Sequence, residues 1–266
     1  MFKTNPDKMR MEPTPERVLS VCRLVAYKSM TREEIRAAMA MGSKDDKQND
    51  EINHSIRVAH EELSLLTTRD NQLVLAVDPS VVESVTAFRR YVSARVFAMK
   101  DTTFYMFTKW VIAQNDRIFE MGSWEGMAKT CGHENQIMAE MGENAALGWR
   151  FWAAFLGLGY LSGTMIIPNM MLRVQDVLAT GFTSKFKINE QVLAGEFLAW
   201  LSAQLPEVSM TKEIPLALSA ALRTLHELGL IQLESWRDAA RIPLFYVDGD
   251  PIKNFSHIIV REEAIK

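Results

Sequence analysis

With 266 residues, 48% of them hydrophobic and 24% charged, the chain can bury one or two ordinary cores, and its composition excludes a fibre or a disordered polymer. The formal charge of -3, from 30 basic and 33 acidic residues, excludes a global attraction to polyanions, so any nucleic-acid contact must come from a local patch. Two cysteines, Cys22 and Cys131, lack the paired spacing of zinc or redox sites and point to a reducing, cytoplasmic setting.

Residues 1–15 alternate charge and proline, so a secretory signal is not expected. Thr14 and Pro15 then cap and open a first helix that places Val18, Val21, Cys22 and Val25 on one face. Thr31-Arg32-Glu33-Glu34 is a capping box for a second helix reaching about Met41, and the polar residues 42–50 read as an exposed loop. A third helix carries the stripe Ile52, Ile56, Ala59, Leu63 and Leu66. After Asp70-Asn71, residues 73–77 read as a wing strand.

Residues 80–119 are mostly helical, and Gly122 and Gly132 divide the shorter helices that follow. A helix beginning near Asn144 is apolar on both faces, with Trp149, Trp152, Phe151 and Phe155, and is expected to be buried. Residues 163–168 read as one short strand. The run 149–167 is the most hydrophobic of the chain, but Arg150, Gly157, Gly159, Ser162 and Gly163 interrupt it, so it suits a buried helix and strand and no membrane role is expected.

Residues 172–179 open a third helical group, and Asn189 caps a helix from about 190 to 203, which Pro206 stops. Pro215 suits the start of the next helix, striped by Ile214, Leu218, Ala221, Leu225 and Leu228 and ended by Gly229. Residues 230–233 and 242–247 read as a strand pair across 235–241. The tail, with Phe255 and Ile258, either adds a strand or docks on the surface.

A helical stripe that breaks into a short strand therefore occurs in 52–77, 144–167 and 214–247. Residues 214–231, ending Leu228-Gly229-Leu230-Ile231, resemble the recognition helix and first wing strand of the winged-helix family. That resemblance implies a mainly α (α+β) protein of tandem winged-helix modules around a central helical region, divided as 1–77, 78–185 and 186–266, the middle unit degenerate. The opening Thr14-Pro15-Glu16-Arg17-Val18-Leu19-Ser20-Val21-Cys22-Arg23 and the overall layout are similar to small accessory proteins of bacterial phage-defence islands, including those associated with deazapurine-modified DNA. The acidic tandem layout also resembles partner subunits of chromosome-condensing complexes. Both imply work inside an assembly.

On this reading the nucleic-acid candidates are Asn53, Ser55, Arg57 and Arg69 in the first module and Ser219, Arg223, Arg237 and Arg241 in the third, since Asn and Arg address base edges and Ser and wing Arg hold phosphate. Against them stand Glu51, Glu61 and Glu62, which repel phosphate. Cys131-Gly132-His133-Glu134 reads as an inter-helix turn and Asp248-Gly249-Asp250-Pro251 as a tight turn, neither carrying enough ligands for a metal. No phosphate loop, dinucleotide fingerprint, His-Glu-x-x-His helix or Gly-x-Ser-x-Gly elbow is present. The expectation is a non-catalytic protein without cofactor, whose partners are DNA and a protein or a second copy of the chain. The alternative is an adaptor or scaffold subunit without DNA readout.

Overall fold

In the computed structural model, which describes residues 1–2, 9–41, 46–163, 165–210 and 213–266, helix caps set the first elements. The Thr14 hydroxyl accepts the Arg17 N–H at 3.4 Å, and α1 runs Pro15–Tyr27. At α2 (Arg32–Ala40) both halves of the capping box are made, with Glu34 N–H donating to Thr31 Oγ1 at 3.2 Å and Thr31 N–H donating to Glu34 Oε2 at 2.7 Å. Helix α3 (Asp46–Arg57) starts earlier than expected, taking in 46–50 of the supposed loop, while 42–45 lie outside the described residues. Its opening turns are wholly polar, so no apolar spacing marks them. The helix then widens into a π-turn, Val58–Glu62, closed by Leu63 N–H on the Val58 carbonyl.

Strands β1 (Leu66–Arg69) and β2 (Gln72–Leu75) pair antiparallel across Asp70 and Asn71, both left-handed at φ 49° and 62°, as a two-residue hairpin requires. Between α1 and α2, Met30 exchanges both backbone hydrogen bonds with Leu73 of β2. The order across this small sheet is Met30, β2, β1.

The chain divides into two compact units, one of Met1–Phe107 with Ser123–Leu156, the other of Thr108–Gly122 with Gly157–Lys266. After the hairpin the first unit is completed by α4 (Ser80–Glu83), α5 (Val85–Ala98), part of α6 (Thr103–Ala113), α7 (Trp124–Glu134) and α8 (Glu143–Phe155). Its interior is aromatic: the Phe2 ring stands edge-on to both Phe104 and Trp152 at 5.0 Å, Phe107 meets Trp149 at 5.1 Å, and Trp152 Nε1 donates to the Pro13 carbonyl at 2.7 Å. Trp149 and Trp152 are buried as expected. Gly132 lies inside α7 and divides nothing. Gly122, at φ 68°, does end the 3-10 turn Asn115–Met121 that precedes α7.

In the second unit β3 (Gly159–Ser162) and β4 (Met165–Pro168) form a hairpin where one strand was expected. Residues 158–162 are apolar enough to read as more helix, but Gly157 turns the chain at φ 77°, and a Cβ there would lie 2.6 Å from the Arg173 amide nitrogen. Next come α9 (Met171–Gly181), β5 (Gln191–Leu193) and α10 (Ala194–Gln204). Asn189 caps no helix: it sits at φ 61° and its N–H donates to the Val260 carbonyl, which leads into β5.

Helix α11 (Leu216–Glu227) buries Leu218, Ala221, Leu222 and Leu225, and Gly229 ends it at φ 71°. The strands that follow are β6 (Ile231–Glu234), β7 (Ile242–Pro243), β8 (Asn254–Phe255) and β9 (His257–Val260). The expected pairing of 230–233 with 242–247 does not occur. β6 pairs instead with β9, and β7 with β8, so the sheet order is β5, β9, β6 and the tail supplies the central strand. Ile258 and Val260 are fully buried in that sheet, whereas Ile242 is half-buried and Pro243 exposed in β7.

Candidate nucleic-acid interface

On the first unit, α3 presents Asn53 and Arg57 half-buried, and Arg69 is exposed at the hairpin end. The three carboxylates that count against phosphate are each held by a cation. Glu51 Oε2 meets Arg17 at 2.8 Å and Glu61 Oε1 meets Arg32 at 3.5 Å. Glu62, enclosed, lies 3.7 Å from Arg57 Nε and takes the Met1 amino group and the Phe2 N–H at 2.7 and 2.8 Å. Ser55 faces inward, fully buried, and its hydroxyl donates to the Glu51 carbonyl at 3.0 Å. It falls on the stripe side of α3 because it lies three residues after the buried Ile52 and four before the buried Ala59.

The fold sets His54 of α3 beside two arginines. Arg10 Nη1 is 3.2 Å from its Nε2, and burial first, then the charges of Arg10 and Arg57, hold the ring below the ordinary histidine pKa against the opposing pull of Glu12 and Asp50. His60 lies within 3.3 Å of the Thr68 hydroxyl and 3.5 Å of Arg32, tying α3's continuation to the hairpin. Arg10 was not legible as part of this group, since it precedes α1 and is 44 residues away in sequence.

On the second unit the four candidates divide into two that are enclosed and two that are exposed. Ser219 is fully buried: its hydroxyl donates to the Ile214 carbonyl at 3.2 Å and accepts the Phe245 N–H at 2.8 Å. Arg223 is 5% exposed, with Nε 2.6 Å from Asp250 Oδ2 and Nη2 donating to the carbonyls of Phe245 and Ile252 at 2.9 and 3.0 Å. These two bonds sets bind residues 244–252 down onto α11, so the helix face assigned to DNA is covered by the chain's own loop. Ser55, Ser219 and Arg223 are thereby interior residues bonded within the fold, and a phosphate could reach them only by opening it.

Arg237 and Arg241 are exposed in the loop between β6 and β7. Arg241 Nε donates to the Trp236 carbonyl at 3.0 Å. The Trp236 ring rests on His257 with centroids 4.6 Å apart, which fixes the base of the loop. Arg237 has no partner among the described residues. The sequence Cys131-Gly132-His133-Glu134 ends α7 and is no turn. Asp250 does form one, accepting the Ile252 N–H at 2.9 Å. Among the described residues no three His, Cys, Asp or Glu side chains gather as a metal would require, and no helix is long and apolar enough to cross a membrane.

The model of the DpdG-like family matches residues 8–239. The chain belongs to the DpdG-like family. No curated protein and no solved structure matches it. For this DpdG-like chain, membership bears out the similarity to accessory subunits of phage-defence islands associated with deazapurine-modified DNA. The mainly α (α+β) class likewise holds, with helices dominant and small antiparallel sheets.

Proposed function

We propose that the chain is a non-catalytic, DNA-associated subunit of a phage-defence assembly, in which residues 15–75 and 171–260 act as winged helices. The observation that carries the reading is a strand order common to both segments. In each, the strand position before the second helix pairs with the last strand, which pairs in turn with the strand after the third helix: Met30, β2, β1 in one and β5, β9, β6 in the other. In a winged helix this order turns the third helix and the loop beyond it toward a duplex; in residues 171–260 the loop 244–252 covers α11, which leaves residues 235–241 as the part free to approach.

Neutralisation of Glu51, Glu61 and Glu62 supports the first segment as the DNA face, with Arg69 exposed at the hairpin end and Asn53 and Arg57 half-buried on α3. In the second segment the contact falls to Arg237 and Arg241, because Ser219 and Arg223 are enclosed. A chain so arranged binds with little sequence preference, holding phosphates and reading few base edges.

The test is fluorescence anisotropy on a labelled duplex across a salt series. Arg69→Ala, Arg237→Ala and Arg241→Ala are each expected to reduce the slope of log affinity against log salt by about one, roughly equally for unrelated duplex sequences. Arg57 stays intact in that series because it partners the enclosed Glu62. Unchanged slopes in all three variants would reject the surface. The alternative role of an adaptor without DNA readout is favoured by the exposed apolar side chains Phe119, Ile167, Tyr246 and Val247 of the second unit.

A further inference from the structure

Those four side chains border a cleft of about 460 Å³ on the outer flank of α11, between the 3-10 turn Asn115–Met121, β4 and the loop that covers Arg223. Phe119 is 43% exposed, Ile167 38%, Tyr246 67% and Val247 41%. An apolar patch of this kind left in water forgoes about 25 cal/mol for every Å² it could bury.

Both walls are fastened to the helix between them. The Leu216 N–H at the start of α11 donates to Asn115 Oδ1 at 2.8 Å, which anchors the Phe119 turn. The Phe245 N–H on Ser219, together with the Arg223 guanidinium on the Phe245 carbonyl, anchors the Tyr246 and Val247 side. A seat held in this way loses little conformational entropy when it is filled.

Its charge selects the occupant. Arg223 lies beneath, already paired with Asp250 at 2.6 Å, whereas the exposed Asp116 and Glu227 at the edge have no cation among the described residues. Two uncompensated carboxylates beside an apolar floor repel phosphate and favour a cation next to apolar groups. We infer that this cleft docks a short segment of a partner protein in which apolar side chains stand next to lysine or arginine. The inference deepens the reading of the chain as an assembly subunit and does not depend on its binding DNA.

The experiment is fluorescence anisotropy with the full chain and two labelled synthetic probes, one of leucine and phenylalanine flanked by lysines, the other identical but flanked by glutamates. The lysine probe should bind at least about tenfold more tightly than the glutamate probe. Asp116→Lys with Glu227→Lys should reverse that preference, and Ala220→Trp, which fills the cleft, should abolish binding of both. If Ala220→Trp does not fold, the doubly charge-reversed variant decides alone, since both of its positions are exposed.

Equal binding of the two probes, binding unaffected by either variant, or no binding of the lysine probe would overturn the inference. Displacement of the lysine probe from the unaltered chain by duplex DNA would overturn it as well. Arg69, Arg237 and Arg241 lie outside the cleft lining, so loss of DNA binding in those variants with probe binding retained separates failure of one reading from failure of the other.

Discussion

The thiols of Cys22 and Cys131 are both enclosed, and burial pushes each up to about 12, with the Glu134 charge adding to it at Cys131. At pH 8 the thiolate fraction is then roughly one part in ten thousand. A coloured disulfide reagent is expected to find no reactive thiol in the native chain and two in denaturant; a fast native reaction at pH 8 would contradict the burial. His54 gives a pH dependence of the opposite kind. Its native pKa lies below the ordinary 6.5, so as pH falls past that value the unfolded chain takes up the proton first and stability declines toward the native pKa, while above 6.5 the contribution is complete. Urea midpoints measured at about pH 7.5 and about pH 5.5 should therefore differ more in the parent than in His54→Gln. Neither histidine geometry nor the enclosure of Arg223 was legible residue by residue. A buried arginine and an exposed one have the same letter, and only the carbonyls of Phe245 and Ile252 tell them apart.

Elements bounded by local chemistry were the readable ones. Thr14, the Thr31 to Glu34 capping box, the Asp70-Asn71 turn and Gly229 act through groups within a few residues, and each is where its spacing placed it. β5 escaped because its three residues Gln191–Leu193 run straight into α10 and gain their partners from β9, some 65 residues later. Helix α8 carries a constraint that helix propensity argues against. Gly148 lies mid-helix, where alanine would ordinarily be better by about 1 kcal/mol. A Cβ there, however, would stand 2.5 Å from the Met9 carbonyl oxygen and 2.7 Å from that of Arg10. Gly148→Ala is accordingly expected to lower the thermal midpoint, because two backbone atoms must move; a raised midpoint would show that residues 9–10 yield freely.

For the whole molecule, a charge of -3 limits how DNA can be held. The exposed cations assigned to the two segments are Arg69, Arg237 and Arg241, so the parent's log affinity against log salt should be no steeper than about -3. A slope near -8 would require a far larger basic surface than these residues provide. By itself the amino-acid sequence determined the helix-rich class, the caps and turns that bound the main helices, and the family, because those depend on residue identities and short spacings. Tertiary structure alone decided that the tail completes the second sheet, that β7 turns away to β8, and that Ser219 and Arg223 lock a loop over α11. Strand partnership and burial are settled by which distant apolar side chains can be removed from water together, and no local pattern records that choice.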